Sequence, residues 1–143
     1  MQTSEDKKPT TVTPDLLFRT WQAFFYQSIG FTVILLAGAE FLSFGGYRPE
    51  WAMYTMITGA ASLMPSFYYL PRYRDLLGGL RGAQRNDPTY LEQVRNKMTI
   101  GMVIGDLPAF AGFLHYVFTA DSGLMFIFCA ASNIVIYFHK PPR

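Results

Sequence analysis

Four apolar stretches, each close to the length that crosses a bilayer, constrain this chain more than any other feature. A spanning helix takes about 20 predominantly apolar residues at a rise of about 1.5 Å each. The stretches run over residues 21–44, 51–70, 99–119 and 122–139, and polar residues concentrate outside them, in 1–20, 71–97 and the last few positions. Residues 31–39 and 124–136 lack the polar face that a helix on the surface of a soluble bundle needs. The expected fold is therefore all-α: a single integral membrane four-helix bundle, up-down, over residues 13–143, after a disordered polar N-terminus, residues 1–12.

Charge placement sets the orientation. Of twelve Lys and Arg residues, eleven lie in the N-terminal segment, the 71–97 loop or the C-terminus, and only Arg48 falls in the opposite short turns, 45–50 and 120–123. Basic residues flanking spans stay on the cytoplasmic side. Both termini are thus expected inside, which requires an even number of helices, and the locality expected is the inner (plasma) membrane. Lys7, Lys8 and Arg19, an apolar run, then Ala37-Gly38-Ala39 also resemble a secretory signal with its cleavage site, although the charged leader is long for one.

Local signals mark the helix ends. Thr13-Pro14-Asp15 and Asp87-Pro88 combine a capping side chain with a proline suited to the first turn. Pro49 opens the second helix in the same way, Pro71 closes it, and Pro141-Pro142 follow the fourth. Aromatic rings favour the headgroup level, so Tyr47, Trp51 and Tyr54 are expected at the outer interface and Trp21, Tyr68, Tyr69 and Tyr73 at the inner one. Arg72, Arg74, Arg81 and Arg85 of the inner loop are expected to meet anionic lipid headgroups, each contributing about 1 kcal/mol near the surface. Topology already explains this basic charge, so nucleic acid is not an expected partner. Gly78, Gly79 and Gly82 do not form a phosphate-binding loop, since no Gly-Lys-Ser/Thr follows a strand.

The third helix carries the most informative residues. Gly101, Gly105 and Ala109 recur every four positions and Gly112 stays near that stripe, a spacing that lets another helix approach closely. The partner is either within this chain or in another one. Asp106 lies seven residues past Thr99, hence about 10 Å along the axis. A carboxyl at that depth costs on the order of 2.5–3.5 kcal/mol and marks either function or a structural partner. Counting depth along the other helices puts Gln27, Ser28, Ser62, Ser132 and Asn133 in the same polar layer. Three roles remain for Asp106: structural glue, a proton- or ion-binding site, or contact with a partner subunit. Nearer the outer surface, Glu40 and His115 fall at matching depths and form a candidate pair.

Catalytic chemistry has no support in the pattern. The sequence holds no Ser/His/Asp or Cys/His set, no HExxH and no second acid at the depth of Asp106. Its one cysteine, Cys129, sits inside the fourth span and reads as a buried thiol. Its two histidines, His115 and His139, lie at opposite faces of the membrane, which excludes bis-histidine haem ligation within one chain. No cofactor and no metal are expected.

The stretch Gly105-Asp106-Leu107-Pro108-Ala109-Phe110-Ala111-Gly112, within residues 101–120, resembles the acid-bearing helix of proteolipid c subunits of rotary ATPases. It is also similar to the second hairpin of small four-helix bacterial membrane proteins. The first resemblance implies a proton-binding role for Asp106. The first helix departs from it, having Phe24, Phe25 and Phe31 where a rotor ring has glycines. Small size, an aromatic-rich apolar surface and the small-residue stripe favour a non-enzymatic accessory or scaffold subunit of a bacterial membrane complex, respiratory or photosynthetic. Its partners are then membrane lipids and other integral subunits. The alternative is a proton- or ion-coupling subunit using Asp106.

Overall fold

The computed structural model describes residues 12–42 and 44–142, and among them every regular element is helical. Helix α1 spans Pro14–Leu42, α2 Ala52–Ala61, α3 Met64–Gly79, α4 Pro88–Thr119 and α5 Ser122–Phe138. Single 3₁₀ turns, Pro49–Trp51 and Ala83–Asn86, precede α2 and α4. Lys7, Lys8, Arg143 and the polar segment 1–11 lie outside the described residues. Val12, assigned to that polar tail by sequence, is instead buried against Leu17, Leu80 and Leu91.

Helices α1 and α4 are long and apolar enough to cross a membrane, and α5 is a shorter apolar helix. Both long helices start where their capping residues predict. The Thr13 hydroxyl accepts from Leu16 N (3.2 Å), and Asp87 accepts from Thr89 N (3.0 Å), each with proline next in line. The second rod differs from expectation. Its helix breaks at Ser62–Leu63, resumes with Pro65 in the first turn of α3, and runs through Pro71 to Gly79. Pro65 lacks the N–H that would bond back to Ala61, so the interruption falls just before it. Pro71 breaks only one bond and the helix tolerates it.

The chain reverses at each connection. Tyr47 N and Arg48 N bond to the Val117 and Phe118 carbonyls, which brings the α1–α2 turn onto the end of α4. Gly45 sits there at φ +127°, where a Cβ would lie 2.7 Å from the Tyr116 carbonyl oxygen. Helix α4 is the central post: α5 packs along it most extensively, α2 and α3 lie against it, and α1 rests on both α4 and α5.

Buried aromatic donors tie the helix ends together. The last carbonyls of a helix have no partner within it. Trp21 Nε1 donates to Ile136 O in the last turn of α5 (3.0 Å), and Tyr116 Oη to Ala39 O in the last turn of α1 (2.9 Å). Tyr73 Oη reaches His139 O (2.8 Å), and Tyr90 Oη reaches Leu76 O of α3. Trp21 and Tyr73, expected at an interface, are thus interior residues, and burial pushes the Tyr73 phenol well above its ordinary pKa. Tyr47, Tyr54 and Tyr68 do face outward, as does Trp51.

Val33, Ile34, Phe41, Met53, Ile57, Phe67, Val103, Phe110, Phe126, Ile127 and Ile134 are all exposed, drawn from all five helices. Exposed apolar surface on this scale marks a face that meets lipid or another protein.

Candidate functional site

The polar residues that share a depth with Asp106 do not all share a face with it. Ser28 comes from the inward side of α1, flanked by the exposed Gln27 and the half-buried Phe31, Asp106 and Phe110 come from α4, and Ser132 from α5. The Ser28 and Ser132 hydroxyls both donate to the same carboxyl oxygen, Oδ1, at 2.9 and 3.1 Å. Oδ2 receives no donor among the described residues. It belongs to a residue that lines a groove of about 510 Å³ between α1 and α4, with Phe24, Gln27, Ser28, Gly30, Phe31, Ile34 and Phe110. The Phe31 and Phe110 rings, 5.7 Å apart, close one end. The groove is apolar except for Asp106, Gln27 and Ser28.

The remaining members of the polar layer turn elsewhere. Ser62 donates to the Gly59 carbonyl (2.6 Å) at the break between α2 and α3, spending its hydroxyl on its own backbone. Asn133 donates to Thr32 Oγ1 and to Cys129 O, both at 2.9 Å, leaving its Oδ1 buried without a partner. Thr32 follows Ser28 by one helical turn, so the polar stripe on α1 is visible in the sequence once rotation is counted as well as depth. It was missed because depth alone was counted.

The outer layer is rearranged. His115 is buried, its Nδ1 lies 2.7 Å from Thr55 Oγ1, and its Nε2 lies 3.8 Å from Asp121 Oδ2. Glu40 is exposed and does not meet His115. The reason is rotational: Ala39 occupies the inward position, and the next residue is turned about 100° away. Asp121 caps α5 through Gly123 N and Leu124 N (2.9 and 3.1 Å), and His115 Nε2 is buried with no hydrogen-bond partner among the described residues. The Thr55 hydroxyl sits 3.1 Å from both the Trp51 and Ala52 carbonyls. Thr55 and His115 are both buried, and the hydrogen bond between them ties α2 to α4.

The small-residue stripe is consumed within the chain. A Cβ on Gly112 would lie 2.8 Å from Phe128 Cβ and 3.2 Å from the Met125 carbonyl; one on Gly105 would lie 3.0 Å from Val135 Cγ1. One on Gly101 would collide with the His139 ring, and Ala109 is buried in the same seam. His139, which sequence left without a role, bonds through Nδ1 to Val135 O (2.9 Å), stacks on Tyr73 and has a buried Nε2 without partner. At the basic end, Arg72 lies over the Tyr68 ring (3.8 Å) and Arg74 over Phe138 (5.2 Å), while Arg81 and Arg85 lie near the 3₁₀ turn. Among the described residues, no cluster of three or more His, Cys, Asp or Glu is placed to hold a metal. No family model, no curated protein and no solved structure matches the chain.

Proposed function

We propose that this is a multi-pass protein of the bacterial inner membrane, with both termini in the cytoplasm, that serves as a non-enzymatic accessory or scaffold subunit of a larger membrane complex. The observation that carries the reading is the state of α1. Only 11% of the residues in its apolar stretch are buried, against 44% in α4. Its buried positions, Leu17, Trp21, Ser28 and Ala39, form one narrow stripe toward α4 and α5. On the other side of this 29-residue helix, Tyr26, Ile29, Val33, Ile34, Phe41 and Leu42 are exposed apolar side chains. Lipid satisfies such a face, and so does another membrane helix, which gains van der Waals packing without competing against water. A respiratory or photosynthetic assembly is the proposed host.

Extraction in mild detergent tests this. The 16.2 kDa chain is expected to migrate in a particle several times its own mass, with the same membrane proteins in repeated preparations. Migration as a lipid-loaded monomer would sink the subunit reading.

One observation favours a second reading, a proton- or ion-coupling subunit: Asp106 has an oxygen without a protein donor and opens to a groove. The two readings separate on Asp106→Asn. An accessory subunit keeps both its assembly and its host's activity; a coupling subunit assembles normally and loses ion-linked activity.

A further inference from the structure

Three cations from two separate parts of the chain converge at the basic end of the bundle. Two adjoining hollows, of about 410 and 480 Å³, share Leu77, Arg81 and Lys140 in their walls. Arg74 and Phe138 complete one, and Pro141 with Pro142 the other. Arg74 sits on α3, Arg81 two residues past its end, and Lys140 just beyond α5, so only the folded bundle brings them together. Along the sequence Arg74 and Arg81 stand with Arg72 and Arg85, and only packing adds Lys140 to them.

Among the described residues no carboxylate answers these charges. Arg19, Arg48 and Arg95 each pair with an acid, whereas among the described residues Arg74, Arg81 and Lys140 have none within ion-pair distance, and no Asp or Glu lines either hollow. Aromatic rings hold two of the three in place. Arg74 lies over Phe138, and Lys140 Nζ lies between 5.6 and 5.9 Å from the rings of Phe18, Trp21 and Tyr137. The walls are otherwise apolar: Leu77, Phe138, Pro141 and Pro142. Fixed cations above an apolar wall, at the end of the bundle where basic residues gather, match an anionic headgroup with its acyl chains running down the helices.

We infer that Arg74, Arg81 and Lys140 form a binding site for a phospholipid headgroup carrying two phosphates. A single phosphodiester brings one negative charge to three cations; paired phosphates, one per hollow, balance them more closely. The inference rests on the membrane reading above, which is checked separately by resistance of the protein to alkaline carbonate extraction from vesicles.

The test is lipid retention by the full chain in detergent micelles doped with tetraoleoyl diphosphatidylglycerol, dioleoyl phosphatidylglycerol or dioleoyl phosphatidylcholine, read by native mass spectrometry. The two-phosphate lipid should be retained at least about tenfold more strongly than the single-phosphate lipid, the scale set by basic residues near a headgroup. The variant Arg74→Gln/Arg81→Gln/Lys140→Gln should lose that preference. A variant with the same charge loss elsewhere at that end, Arg19→Gln/Arg95→Gln/Lys97→Gln, should keep it. Equal retention of the two anionic lipids would overturn the site, and so would equal loss in both variants. Competition by inorganic pyrophosphate as effective as by the lipid would overturn the lipid assignment in favour of a soluble diphosphate. Should the first triple variant unfold, Arg81→Gln alone, outside any helix, must still lower the preference severalfold.

Discussion

The two flanks of α4 are built on opposite principles. Toward α5, glycine and alanine at every turn let backbones and ring edges meet at contact distance: Gly101 against His139, Gly105 against Val135 and Ile136, Gly112 against Phe128 and Met125. Toward α1 the contact is carried by Ser28 on Asp106 and Phe31 on Phe110, with a groove beside them, while Trp21 anchors α1 on α5. A Cβ added to Gly30 of α1 would meet nothing within 4 Å. The first flank is finished within the chain. The second has space and an unmatched carboxyl oxygen. Close packing is thus concentrated on one flank and open space on the other, where the proposed docking of partners falls.

Substitutions that fill space should break this contrast most sharply. Gly112→Leu pushes a side chain into the Phe128 Cβ and the Met125 backbone, neither of which shifts cheaply. The expected loss is about 3 kcal/mol or more of stability, seen as a collapse of the thermal midpoint in detergent. Trp21→Ala removes the main anchor of α1, its ring stacked on Phe25 and its N–H on Ile136 O. A loss of about 3 kcal/mol is expected, with α1 becoming susceptible to protease while the α4–α5 hairpin stays protected. If α1 and α5 are lost together, the flanks are not independent.

Smaller effects sharpen the picture. Ser132→Ala removes one of two donors to Asp106 Oδ1 and should cost about 1 kcal/mol, the usual scale of polar contacts between membrane helices. Ser28→Ala should cost the same. The double variant should exceed the sum, because the carboxyl is then left without a donor. Gly30→Leu should change stability by less than about 0.5 kcal/mol, yet release the protein from its larger particle if the groove is where partners dock. A stability loss there equal to that of Gly112→Leu would erase the distinction between the flanks.

What the sequence made legible follows the same division. Helix starts were readable because capping chemistry is local: Thr13-Pro14 and Asp87-Pro88 act where they stand. Depth was readable because rise per residue is constant, so Asp106, Ser28 and Ser132 were placed at one level. Rotation was not readable. Where inward and outward faces are both apolar, no hydrophobic period distinguishes them, and Glu40 was therefore paired with a histidine that faces Thr55 and Asp121. The break falls before Pro65 and not at Pro71, because a proline's effect depends on whether it falls in a first turn or mid-helix. The burial of Trp21 and Tyr73 is not readable for a related reason: a carbonyl left open at a helix end becomes a partner only after packing brings a ring to it.

The most direct test of the account compares the outward faces of two helices in native membranes. A photoreactive side chain is placed at Ile34 on α1 or at Ile57 on α2, both exposed and apolar. Protein cross-links from position 34, absent when Gly30→Leu is added, with lipid alone captured at position 57, are what the account predicts. Lipid alone at both positions, from cells in which the protein is at its natural level, would contradict it.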